Sequence, residues 1–126
     1  MIKTFEDLDV WKRGCLLAVD VYSELRSSKD LGLKDQMQRA AVSISSNIAE
    51  GAERDSTLDY IRFLRYSKGS CGELRTQFYI YKRIQQNNGI QEMSSIDLMI
   101  QSTKEISAML QALINSLHRK LSNTDH

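Results

Sequence analysis

Apolar residues recur along this chain in alternating steps of three and four, the spacing that lines up side chains on one face of an α-helix. In the first segment the repeat runs through Leu8, Trp11, Cys15, Ala18, Tyr22 and Leu25. A second run holds Met37, Ala41, Ile44 and Ile48, and a third Tyr60, Leu64, Ser67, Cys71, Leu74, Phe78 and Tyr81. The fourth is the most regular, with Ile96, Met99, Thr103, Ile106, Leu110, Leu113 and Leu117. Thr4 with Asp7, Ser56 with Asp59, and Ser94 with Asp97 each place an oxygen acceptor three residues before an acid. That arrangement satisfies free N–H groups at a helix start and complements the helix dipole. Gly51 and the Asn88–Gly89 pair suit the left-handed residue that closes a helix. The pattern predicts helices over about 5–27, 33–50, 56–88 and 94–121. Connections this short make neighbouring helices antiparallel. The expected fold is all-α, an up-and-down antiparallel four-helix bundle forming one domain over residues 1–126.

Composition agrees with this pattern. The 126 residues include no proline, which breaks helix interiors and is common in the turns of β proteins. A hydrophobic content of 41% and a charged content of 26% are those of a chain that buries a core. No apolar run approaches the roughly 18 residues of a membrane span. The Met1–Asp7 segment is polar and acidic with no apolar signal region behind it. Cys15 and Cys71 are the only cysteines and form no C-x-x-C pair, which points to a reducing, cytoplasmic setting.

Candidate chemistry is sparse. A di-metal carboxylate site in a bundle needs Glu-x-x-His on facing helices, and no Glu stands three residues before His118 or His126. Neither a metal nor a cofactor is expected. Both cysteines fall on apolar seams and read as inert, buried thiols. Gly69-Ser70-Cys71-Gly72 matches the G-x-x-G loop of KH-type RNA binders, but the surrounding period is helical. Close approach of another helix is the preferred explanation for these glycines. In the segment Gln36–Gly51, the residues Arg39, Ser43, Asn47 and Glu50 fall near one stripe. The stripe reads as polar contacts holding the second helix to the third, with Glu73 as a mate for Arg39. The competing reading is a ligand or partner face.

The formal charge is only +1, yet from Ser56 to Asn88 the bases Arg62, Arg65, Lys68, Arg75, Lys82 and Arg83 face just two acids, Asp59 and Glu73. This is a mild basic stripe suited to RNA or DNA phosphates. Helix lengths suggest a second surface. At 1.5 Å per residue the third helix spans roughly 50 Å and the second about 27 Å. The last turns of the third helix should therefore project past the second, carrying Phe78, Tyr79, Ile80, Tyr81 and Ile84. A neighbouring subunit would cover them, so a homo-oligomer is expected.

Phe5, Leu8, Trp11 and Tyr22 lead into Gln36, Arg39-Ala40-Ala41-Val42-Ser43-Ile44 and Asn47-Ile48-Ala49-Glu50-Gly51. Tyr60, Phe63-Leu64, Gly69-Ser70 and Glu73-Leu74 follow in order. Over nearly its whole length the chain resembles the four-helix-bundle proteins named after the intervening sequences of bacterial 23S ribosomal RNA. It departs from them at Ser27–Leu33, where the family often has proline. The resemblance implies a left-handed bundle that assembles into a homo-oligomer, with a pentameric ring as the associated arrangement, and it implies no enzyme activity. Some members are encoded inside insertions of the large ribosomal RNA gene. A related accessory protein of diversity-generating retroelements is a basic pentamer that works with a reverse transcriptase and nucleic acid. The combined expectation is a non-catalytic homo-oligomeric scaffold that binds a macromolecular partner. The alternative is an RNA- or DNA-binding accessory protein that uses the basic stripe.

Overall fold

The computed structural model describes residues 4–124. A short 3-10 turn, Phe5–Asp7, precedes four α-helices: α1 Asp9–Leu25, α2 Leu31–Ala52, α3 Thr57–Asn87 and α4 Ser94–Thr124. No strand occurs among the described residues. Each helix packs on its neighbours in the order α1, α2, α3, α4 and back to α1. Side-chain pairs fix the directions. Ser67 Oγ donates to the Ile44 carbonyl at 2.7 Å across α2/α3, and Lys82 reaches Asp97 at 2.7 Å across α3/α4. Arg13 pairs with Glu105 across α1/α4 at 2.6 Å, and Ser95 donates to Glu24 farther along the same seam at 2.8 Å. The result is an antiparallel up-and-down bundle.

Helix boundaries follow the available caps. Ser56 Oγ accepts from the Asp59 amide at 3.1 Å and starts α3. Asp30 Oδ1 accepts from the Leu33 amide at 3.2 Å, so α2 begins earlier than the apolar period alone suggests. Thr4 and Asp7 are joined at 3.4 Å, but they close only the 3-10 turn, and Leu8 is extended before α1 begins. Ser94 is not a cap: it is the first residue of α4, and its amide donates to the Glu92 carboxylate at 2.7 Å. Hydrogen bonding from Ser94, through its side chain first and its amide second, holds the Glu92 carboxyl below the usual carboxylate range. Gly89, at φ 87°, occupies the left-handed region after α3, where a side chain would be strained.

Gly51 does not end its helix, because α2 runs on to Ala52. A Cβ at Gly51 would lie 2.7 Å from Phe63 Cβ and 3.2 Å from the Tyr60 carbonyl oxygen, so the glycine lets α3 lie close against α2. Gly14 serves α1 in the same way, facing the side chain of Ser45, whose hydroxyl donates to the Trp11 carbonyl at 3.0 Å.

Leu17, Val21, Met37, Ile44, Ile48, Leu64, Leu74, Phe78, Ile96, Ile106 and Leu110 form the centre of the core. In α1 the buried stripe is Val10, Gly14, Leu17, Val21 and Leu25, one residue off the expected one except at Leu25, which both share. Trp11, Cys15 and Ala18 lie on its flank, and Tyr22 is exposed. In α4 the seam passes from Leu110 to Ile114, leaving Leu113 and Leu117 half-buried. A straight helix drifts against a seven-residue repeat, which accounts for that shift.

Candidate functional site

The polar stripe on α2 is divided among local tasks. Arg39 does not meet Glu73: it pairs with Asp35 at 2.9 Å one turn back, with 79% of its side chain exposed. Such a pair contributes about 0.3–0.5 kcal/mol. Glu50 pairs with Arg54 at 3.1 Å on the same helix, and Asn47 donates to the Ser43 carbonyl at 2.8 Å. Gln36 is exposed. Contact with α3 comes from the smaller groups, with the hydroxyls of Ser43 and Ser70 2.6 Å apart and Gly51 against Phe63. Short side chains reach across this seam because the helices are close. Arg39 takes no part in that seam and turns to solvent.

The Gly69–Gly72 segment lies within α3, with Cys71 pointing into the core. Burial pushes the Cys71 thiol up to about 11, leaving it un-ionised near neutrality. A Cβ at Gly69 or Gly72 would meet nothing within 4 Å, so neither glycine admits another helix of its own bundle. Each still costs about 1 kcal/mol of helix propensity relative to alanine.

The expected projecting end of α3 is only partly surface. Phe78 is 0% exposed and Tyr81 packs against the core, because α2 starts at Leu31 and the chain joining it to α1 walls that end. Ser28, Asp30 and Leu33 line a cleft of about 460 Å³ there, together with Tyr81 and Ile84. Tyr79, Ile80 and Ile84 remain exposed, the first two at 50% and 48%. A second apolar surface lies between α1 and α2 and was not expected. Phe5, Trp11, Cys15, Ala18, Val42 and Ala49 line a groove of about 410 Å³ between α1 and α2. Beyond it on α1, Leu16 and Val19 are 62% and 61% exposed. The α1 sequence held a signal for this surface: its apolar residues exceed what one buried stripe needs.

The six basic residues of α3 also separate. Arg62 pairs with Asp59 at 2.9 Å and lies over the Phe63 ring, which Arg54 also meets. Lys82 is neutralised by Asp97, and Arg83 is exposed away from the α3/α4 seam. Arg65, Lys68 and Arg75 instead meet partners on α4 that carry no negative charge: His118 at 3.1 Å, Gln111 at 2.7 Å and Thr103 at 2.9 Å. Lys68, Arg75 and Lys82 are spaced by heptads, as are Asp97, Gln111 and His118, a repeat that also includes Lys104. Five cations, Arg65, Lys68, Arg75, Lys82 and Lys104, thus follow the α3/α4 seam with Asp97 as their one carboxylate partner among the described residues. Sequence reasoning missed Lys104 and His118 because they join the stripe only once α4 is set in register. His126 lies outside the described residues.

No group of three or more His, Cys, Asp or Glu side chains among the described residues is placed to hold a metal ion. No helix among them is long and apolar enough to cross a membrane.

No curated protein matches the chain. Its fold is similar to the crystal structure of a protein of unknown function from the S23 ribosomal protein family of Bacteroides thetaiotaomicron, with a TM-score of 0.73 at 19% identity. The match covers 83% of this chain and 97% of that one. A family model matches residues 6–112, and the chain belongs to the family it describes, the 23S rRNA-intervening sequence proteins.

Proposed function

We propose that this chain is a non-catalytic helical scaffold that works in the cytoplasm by associating with copies of itself and holding a macromolecular partner. The observation that carries this reading is the amount of apolar surface left on a bundle whose core is already complete. Leu16, Val19, Val42, Tyr79 and Ile80 are all exposed. Each large side chain removed from water contributes about 1.5–3 kcal/mol, enough for several together to drive association. The family resemblance supports the same reading and suggests five subunits. Light scattering should find the wild type oligomeric at micromolar concentration, and Tyr79→Glu/Ile80→Glu should reduce it to smaller species. A monomeric wild type would remove this reading.

The cation row along α3/α4 favours a second reading, an RNA- or DNA-binding accessory protein. Cations whose partners carry no negative charge keep their own charge available for phosphate, and bound phosphate releases counterions. Binding of a structured RNA should then weaken steeply with salt. Arg65→Ala, Lys68→Ala and Lys104→Ala together should flatten the log–log slope by about one for each phosphate no longer neutralised. Arg75 is left in place because its Nε holds the buried Thr103 hydroxyl. No detectable binding at low salt would end this reading.

A further inference from the structure

We infer that the cleft between the α1/α2 turn and the end of α3 is a binding site for a small organic cation, a protonated amine on a short aliphatic stem. This goes beyond the two readings above and depends on neither. At about 460 Å³ the cleft has the volume of a small-molecule site. Leu33, Ile84 and Tyr81 give it apolar wall for the stem, while Glu24 and Asp30 are its carboxylates. Each carboxylate is fixed through one oxygen and leaves the other open. Glu24 Oε1 accepts from Ser95 Oγ at 2.8 Å, and Asp30 Oδ1 accepts from the Leu33 amide at 3.2 Å. Neither acid joins an ion pair among the described residues. Glu24 and Tyr81 feel one another, since burial first and the Glu24 charge second push the Tyr81 phenol up.

The backbone adds to this field. α1 ends at Leu25 and α3 at Asn87, so two helix C-termini lie at the same cleft, each equivalent to roughly half a negative charge. The α1 end already holds one cation, because Lys34 Nζ donates to the Arg26 carbonyl at 3.3 Å. The α2 N-terminus, which would favour an anion, is taken by the Asp30 side chain. Lys29 is the one cation among the described lining residues, set against two acids and two helix ends. Gln85 and Asn88, whose side chains make no hydrogen bond among the described residues, bring amide oxygens to accept from an ammonium.

Amide NMR spectra of the full chain titrated with n-butylammonium chloride test the site. Saturable shifts are expected at Glu24–Asp30 and at Gln85–Asn88, with none from sodium butyrate, which keeps the stem and reverses the charge, or from potassium chloride. Glu24→Gln should weaken the affinity roughly tenfold, the usual loss of a charge-assisted contact. Asp30→Asn should act alike while keeping a side chain that caps α2. If one of these variants fails to fold, the other carries the comparison. Lys29→Ala, which removes the like charge, should tighten binding. Equal shifts from butyrate or potassium, weaker binding in Lys29→Ala, unaltered affinity in the acid variants, or no saturable shift at the cleft would each overturn the assignment.

Discussion

Phe78→Ala should lower the stability of the bundle by about 3–5 kcal/mol, the usual loss for a truncated aromatic in a close-packed core. Phe78 is fully buried on α3, among the largest sealed side chains of the core. It stands beside Tyr79 in the sequence, yet one helical step of about 100° separates a core position from a surface one. The measurement is a denaturant midpoint at fixed protein concentration, since association would itself add apparent stability. A loss below about 1 kcal/mol, the level of an ordinary surface change, would return Phe78 to the surface where helix length alone would put it.

Gly51→Val should be nearly as damaging, for the opposite reason. The new Cβ would sit 2.7 Å from Phe63 Cβ, an atom anchored directly to the α3 backbone, so no side-chain rotation relieves the contact. The helices must move apart, and the hydrogen bond between Ser67 and the Ile44 carbonyl lies on the same seam. Overpacking of this kind typically costs about 1–3 kcal/mol. The branched carbons of valine push it to about 3 kcal/mol, well beyond the helix propensity regained by removing a glycine. An unchanged thermal midpoint would mean that α2 and α3 are farther apart than described.

The contrast between these residues shows what the sequence made legible. Helix count, order and direction followed from apolar spacing and caps, and the α4 stripe was nearly right because its outer positions are polar. On α1 two apolar stripes obey the same spacing. The true one was disguised because its second member, Gly14, has no side chain to register as apolar. The interaction surfaces were harder to read. The polar residues of α2 share one helical phase, but phase cannot say whether Arg39 finds Glu73 or turns back to Asp35. That depends on how closely the helices approach, and Gly51 sets the spacing. The cation row needed two helices in register, which no single-helix periodicity supplies.

The order of the seams has a kinetic consequence. Three of the four join helices that follow one another along the chain, so each can form as a hairpin closing from its own turn. Only α1/α4 requires distant parts of the chain to meet, and the groups that mark it, Arg13 with Glu105 and Glu24 with Ser95, lie at the surface. A topology dominated by such local contacts has low contact order and folds on the fast side of the range for its size. It also loses little loop entropy before the first favourable contacts form. The α2/α3 hairpin, drawn tight by Gly51 and the Ser67 hydrogen bond, is the natural place for that folding to begin, and the α1/α4 edge the natural place for it to finish.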